Sequence, residues 1–85
     1  MTVSALVVVS GESGLHARPA AEIVKLVQGA NHTVSITNQA GKRVSGASLL
    51  GILSLGVKAG ETIEIEVDGP SADEVLDLLK AVVTG

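Results

Sequence analysis

Thr62-Ile63-Glu64-Ile65-Glu66-Val67 alternates apolar and polar residues without a break, and that alternation limits what the rest of the chain can build. Successive side chains of a strand point to opposite faces, so Ile63, Ile65 and Val67 enter a core while Glu64 and Glu66 stay in water. A sheet with one solvated face must collect its helices on the other. Further strands are predicted at Val3 to Ser10, where β-branched residues dominate and Gly11 closes the run, and in a hairpin. The hairpin comprises Thr33-Val34-Ser35-Ile36-Thr37, turn residues Asn38 to Gly41, and Lys42-Arg43-Val44 as the returning, antiparallel strand.

Three helices fill the intervals. From about Ala17, residues Ala20, Ile23, Val24 and Val27 recur at helical spacing while Glu22, Lys25 and Gln28 face away, and Gly29 is placed to end the helix. Ser48 to Gly56 predicts a helix of about two turns with Ser48 as N-cap and Gly56 at the far end. Pro70 to Glu74 predicts a capping box from Ser71 to Glu74, followed by a stripe of Val75, Leu78, Leu79 and Val82. The order βαββαβα, with no linker or repeat, indicates one α+β domain over residues 1–85. It would be a two-layer sandwich of a four-stranded antiparallel sheet with three helices on one face. No Phe, Trp or Tyr is present, so the core must be assembled from Val, Ile, Leu and Ala.

Charge and composition exclude several functions. A formal net charge of -3 with no block of Lys or Arg, and no aromatic platform for bases, argues against nucleic acid. Cysteine is absent, which removes disulfides and thiolates and fits a reducing compartment. The longest apolar run, Ala5 to Val9, is too short to span a bilayer or to be a signal h-region, so a cytoplasmic protein is expected. The carboxylates are scattered over helix starts and the outer sheet face. No metal cluster, catalytic triad or nucleotide-binding glycine loop is present, so neither metal nor cofactor is expected. His32, in Gly29-Ala30-Asn31-His32-Thr33, reads as an exposed loop residue.

The chemistry gathers in Ser13-Gly14-Leu15-His16-Ala17-Arg18-Pro19-Ala20-Ala21. Gly14 permits backbone angles that a side chain resists, and Pro19 belongs in a first helical turn, which sets His16 at or beside the N-cap. There the free N–H groups of the first turn, that of Ala17 among them, and the positive end of the helix dipole favour an anion. Arg18 adds a fixed charge with several donors, and the combination suits a phosphate carried on His16. Attack requires the neutral imidazole, while Arg18 favours the dianionic product. A second feature is the excess of apolar residues in the short helix. Leu49, Leu50, Ile52, Leu53 and Leu55 surround a cylinder that buries one face, so Leu49, Leu50 and Leu53 are the expected contacts for a partner.

Gly14-Leu15-His16-Ala17-Arg18-Pro19-Ala20 and Ser48-Leu49-Leu50-Gly51-Ile52-Leu53-Ser54-Leu55-Gly56, at this spacing, resemble the two signatures of the HPr family, the histidine-containing phosphocarriers of the bacterial sugar phosphotransferase system. The resemblance runs end to end and implies an open-faced sandwich. It also implies that His16 accepts a phosphoryl group on Nδ1 from phosphorylated enzyme I, itself charged by phosphoenolpyruvate, and passes it to sugar-specific IIA domains. Arg18 would stabilise the group, with Ser13 a further contact. By the same resemblance Ser48 is the regulatory phosphorylation site, served by an HPr serine kinase/phosphorylase and read by a carbon-control transcription factor. Added phosphate there would place roughly -2 in the docking patch and repel acidic partners that otherwise meet Arg18, Lys25 and Lys58. The expected protein is a monomeric carrier, not an enzyme. The alternative is a regulatory binding module whose phosphorylation state controls a transcription factor or enzyme.

Overall fold

β4 (Thr62–Asp68) is the hub of the sheet in the computed structural model, which describes residues 1–10 and 14–84. It pairs antiparallel with β1 (Thr2–Val8) on one side and with β2 (Thr33–Thr37) on the other. β3 (Arg43–Ser45) adds to the free side of β2 through the expected hairpin, giving the order β1-β4-β2-β3. The register lines the inward residues up in rows. Ala5, Ile65, Ile36 and Val44 lie side by side across all four strands, and Val3, Val67 and Val34 across three. Ile36, Ile65 and Val67 retain no exposed surface, as the unbroken alternation of β4 requires.

The other face is polar. Ser4, Glu66, Ser35 and Ser45 share a row there, and Arg43 Nη2 donates to Glu66 Oε2 at 2.6 Å. β1 ends at Val8, short of the expected Ser10, because its last ladder partner is Thr62, where β4 begins. Beyond it the Val9 N–H bonds to the Glu61 carbonyl and the Ser10 N–H to the Val83 carbonyl, carrying the chain off the sheet.

α1 (Ala17–Gly29), α2 (Leu49–Ser54) and α3 (Ala72–Thr84) complete the predicted order and cover the apolar face. α3 lies on β1 and β4, and α1 sits between α3 and α2. α1 buries Ala20, Ile23 and Val27 with Val24 half-buried, as its periodicity indicates. Its end differs from expectation. Gly29 is still helical, and the cap is Ala30, whose N–H bonds to the Val27 carbonyl.

α3 is rotated from the expected stripe. Its sheet-facing residues are Ala72, Leu76, Leu79 and Val83, while Val75 and Val82 are half-buried and Leu78 is 55% exposed. Two apolar stripes about one residue out of phase run along this helix. Tertiary packing places the one carrying Ala72 on the sheet, where a small side chain allows close approach. The other stripe faces α1 across a groove. The capping box is not formed either. Ser71 has φ 53°, and the Glu74 N–H is satisfied at 3.0 Å by the backbone carbonyl of Ser71.

Truncating the row at its centre tests this packing. Ile65→Ala should lower the unfolding free energy by about 3 kcal/mol, measured as a fall in the urea midpoint at unchanged slope.

Candidate functional site

The segment leading into α1 is held by a clamp between two backbones. Gly14 is buried at φ 68°, and a Cβ at that position would stand 2.3 Å from the Val57 carbonyl oxygen and 2.8 Å from Lys58 Cα. Only a glycine fits both the angle and the gap. Leu15 then donates its N–H to the same Val57 oxygen at 3.1 Å and buries its side chain in the core. The next residue, His16, is driven outward and is exposed.

His16 is the N-cap of α1, in extended conformation (φ -91°, ψ -169°), and its carbonyl accepts the Ala20 N–H at 3.1 Å. Its side chain makes no capping hydrogen bond, so the imidazole is not tied to the helix it begins. The first-turn positions are Ala17, Arg18 and Pro19, whose N–H groups have no partner within an α-helix, and proline has none to offer. Two backbone donors, from Ala17 and Arg18, remain at the positive end of the dipole. His16 and Arg18, both exposed, line one shallow depression of about 230 Å³ together with Pro19, Glu22, Val82 and Val83. The expected pair is therefore brought together. Ser13, the other expected contact, lies outside the described residues.

α2 packs against α1, and the chain leaving it at Val57 forms the clamp on Leu15. Ser48 is its N-cap, with Oγ accepting the Gly51 N–H at 3.0 Å. Ile52 and Leu55 are buried, whereas Leu50 is 80% and Leu49 39% exposed, and Leu53 is half-buried. The apolar excess read from the sequence thus emerges mainly at Leu49 and Leu50. The far end of α2 is tied to the hairpin turn: Asn38 Nδ2 donates to the Leu55 carbonyl at 3.1 Å and Lys42 Nζ to the Ser54 carbonyl at 3.3 Å. Lys58 is exposed beside the clamp, and Lys25 lines the α1/α3 groove and not the His16 depression.

Sequence reasoning missed Glu22, Val82 and Val83 as neighbours of His16. The i, i+4 spacing from Arg18 to Glu22 was available in the sequence, whereas the approach of the α3 terminus is tertiary and leaves no local mark. His32 also departs from expectation. It is half-buried, its Nε2–H donates to the Pro70 carbonyl, and its ring fills the space over Gly69. Among the described residues no group of three or more His, Cys, Asp or Glu side chains is placed to hold a metal ion. No described helix is long and apolar enough to cross a membrane.

Residues 3–84 match the family model described as the PTS HPr component phosphorylation site. The chain belongs to the HPr phosphocarrier family. It is 36% identical over 76 residues to the phosphocarrier protein NPr of Escherichia coli strain K12, covering 89% of this chain and 84% of that one. It is 36% identical over 80 residues to the phosphocarrier protein HPr of Chlamydia trachomatis, covering 94% of this chain and 72% of that one. The crystal structure of HPr from Bacillus anthracis superposes with a TM-score of 0.89 at 38% identity over 96% of both chains. Membership makes the molecule a phosphocarrier of the phosphotransferase system, one that relays a phosphoryl group and turns over no substrate of its own.

The clamp yields a clear expectation. Gly14→Ala forces either a strained φ or separation from Val57, so it should cost at least about 2 kcal/mol of stability. It should also expose Leu15, read as faster amide exchange at Leu15.

Proposed function

We propose that His16 is the carrier residue of this HPr-family chain, accepting a phosphoryl group from phosphorylated enzyme I and delivering it to IIA domains. The observation that carries this reading is the N-cap placement of an untied, exposed imidazole in one depression with Arg18. In the forward step a lone pair of the neutral ring attacks phosphorus. The bond from phosphorus to the donor breaks, and its electron pair leaves with the donor atom. The return step is the same displacement, with the acceptor's nucleophile attacking and the pair going back to the imidazole. The backbone N–H groups of Ala17 and Arg18, the Arg18 guanidinium and Ser13 would hold the phosphoryl oxygens through both displacements. Residues 1–85 act as one monomeric carrier domain, in the cytoplasm where charged donors and acceptors meet it.

Leu49, Leu50 and Leu53 form the docking patch of this reading, since α2 packs on α1 and its exit clamps the segment before His16. Ser48 is the proposed regulatory site. Its oxygen already faces the first turn of α2, so a phosphate there would be tolerated by the helix while adding charge beside the leucines. A serine kinase would install that group, and a carbon-control transcription factor would read it.

Incubation with enzyme I and phosphoenolpyruvate should add one phosphate by intact mass, and His16→Ala should abolish the gain. A wild-type chain that stays unmodified, or an His16→Ala variant that is still labelled, refutes the assignment. Leu50→Asp should leave stability within about 0.5 kcal/mol of wild type, because the side chain is mostly in water. Loss of a contact centred on it should raise the KM for the carrier about tenfold in the enzyme I reaction with little change in kcat.

A further inference from the structure

Glu22 stands where a phosphate site would be expected to exclude a carboxylate. It lines the same depression as His16 and Arg18, one helical turn beyond Arg18 on α1. A pairing with Arg18 for helix stability does not account for it. An Arg that precedes a Glu by four residues is the less favourable order for such a pair, and among the described residues no ion pair joins Arg18 to Glu22. Nor is it sequestered in the fold, since both side chains are exposed.

We infer that Glu22 sets how readily His16 gives up its phosphoryl group, by placing a negative charge beside the dianion. This rests on the reading of His16 as the carrier. Phosphorylation brings two negative charges into a depression where, among the described lining residues, Glu22 already supplies one and Arg18 is the side-chain cation. The repulsion is relieved when the group departs. In transfer, phosphorus passes to the acceptor's nucleophile and the pair returns to the imidazole nitrogen. In hydrolysis, water supplies its oxygen to phosphorus and a proton to the ring, leaving neutral imidazole and hydrogen phosphate. Both departures are favoured by the Glu22 charge, and Arg18 opposes them. Glu22 is a positioning residue in this scheme, acting through charge without touching the reacting nitrogen.

The test compares wild type, Glu22→Gln, Glu22→Asp and, as a control on the opposite face of the sheet, Glu64→Gln. Two readouts are taken: the half-life of the phosphorylated protein, and the partition of phosphate between His16 and enzyme I at equilibrium. Glu22→Gln should lengthen the half-life and shift the partition toward His16 by about three- to fivefold at low salt, narrowing as ionic strength rises. Glu22→Asp, which keeps the charge, and Glu64→Gln should remain close to wild type. A Glu22→Gln protein matching wild type in both readouts overturns the inference, as does a shift indifferent to salt. A wild-type chain that takes no phosphate on His16 instead refutes the underlying assignment, so the two failures are distinguishable.

Discussion

The burial of Ile63, Ile65 and Val67 along one side of β4 is the constraint on which the molecule depends. β4 is paired on both edges, so its inward side chains join rows contributed by β1, β2 and, through Ile36, β3. With no Phe, Tyr or Trp available, these rows must be closed by aliphatic residues from α1, α2 and α3. The helices are thereby pressed onto one face and against each other. Contact between α1 and α2 is what brings Val57 over Gly14, and that clamp decides which way His16 points. The chemistry at the surface is in this sense an outcome of aliphatic packing beneath it.

The division of labour between consecutive residues is sharp. Gly14 supplies conformation, Leu15 supplies anchorage, and His16 is left at the surface with its ring not tied to the helix it caps. An anchor immediately before a reactive group limits how far that group wanders without engaging its own polar atoms. The same economy appears in α2, where buried Ile52 and Leu55 hold the helix while Leu49 and Leu50 are left at the surface. Asn38 and Lys42 then satisfy carbonyls that a helix of six residues would otherwise leave open.

Much of this was legible because it is local. Alternation in β4, the Gly14 and Pro19 signals around His16, and the Ser48 cap all act over a few residues, and each was realised in the expected place. What escaped the sequence was decided by distant contacts. α3 carries two apolar stripes, and the sheet, not its own periodicity, selects the one with Ala72. Ser71 looked like a side-chain cap, but the turn after Gly69 places it at positive φ and substitutes its carbonyl. His32 sits in a connection with no motif, yet meets Pro70 across 38 positions of sequence. Val82 and Val83 reach the His16 depression for the same reason, through the return of a terminal helix.

Pro19 has a consequence for the proposed relay that concerns grip more than architecture. As the third residue of α1 it withholds an amide hydrogen where other helices would present one, so within the first turn a bound anion would meet backbone donors from Ala17 and Arg18. Each additional charge-assisted bond would deepen the well in which the phosphoryl group rests. A deep well suits storage, but a relay must hand its cargo on. By its missing hydrogen, Pro19 leaves the proposed phosphoryl group one backbone donor fewer at this helix end.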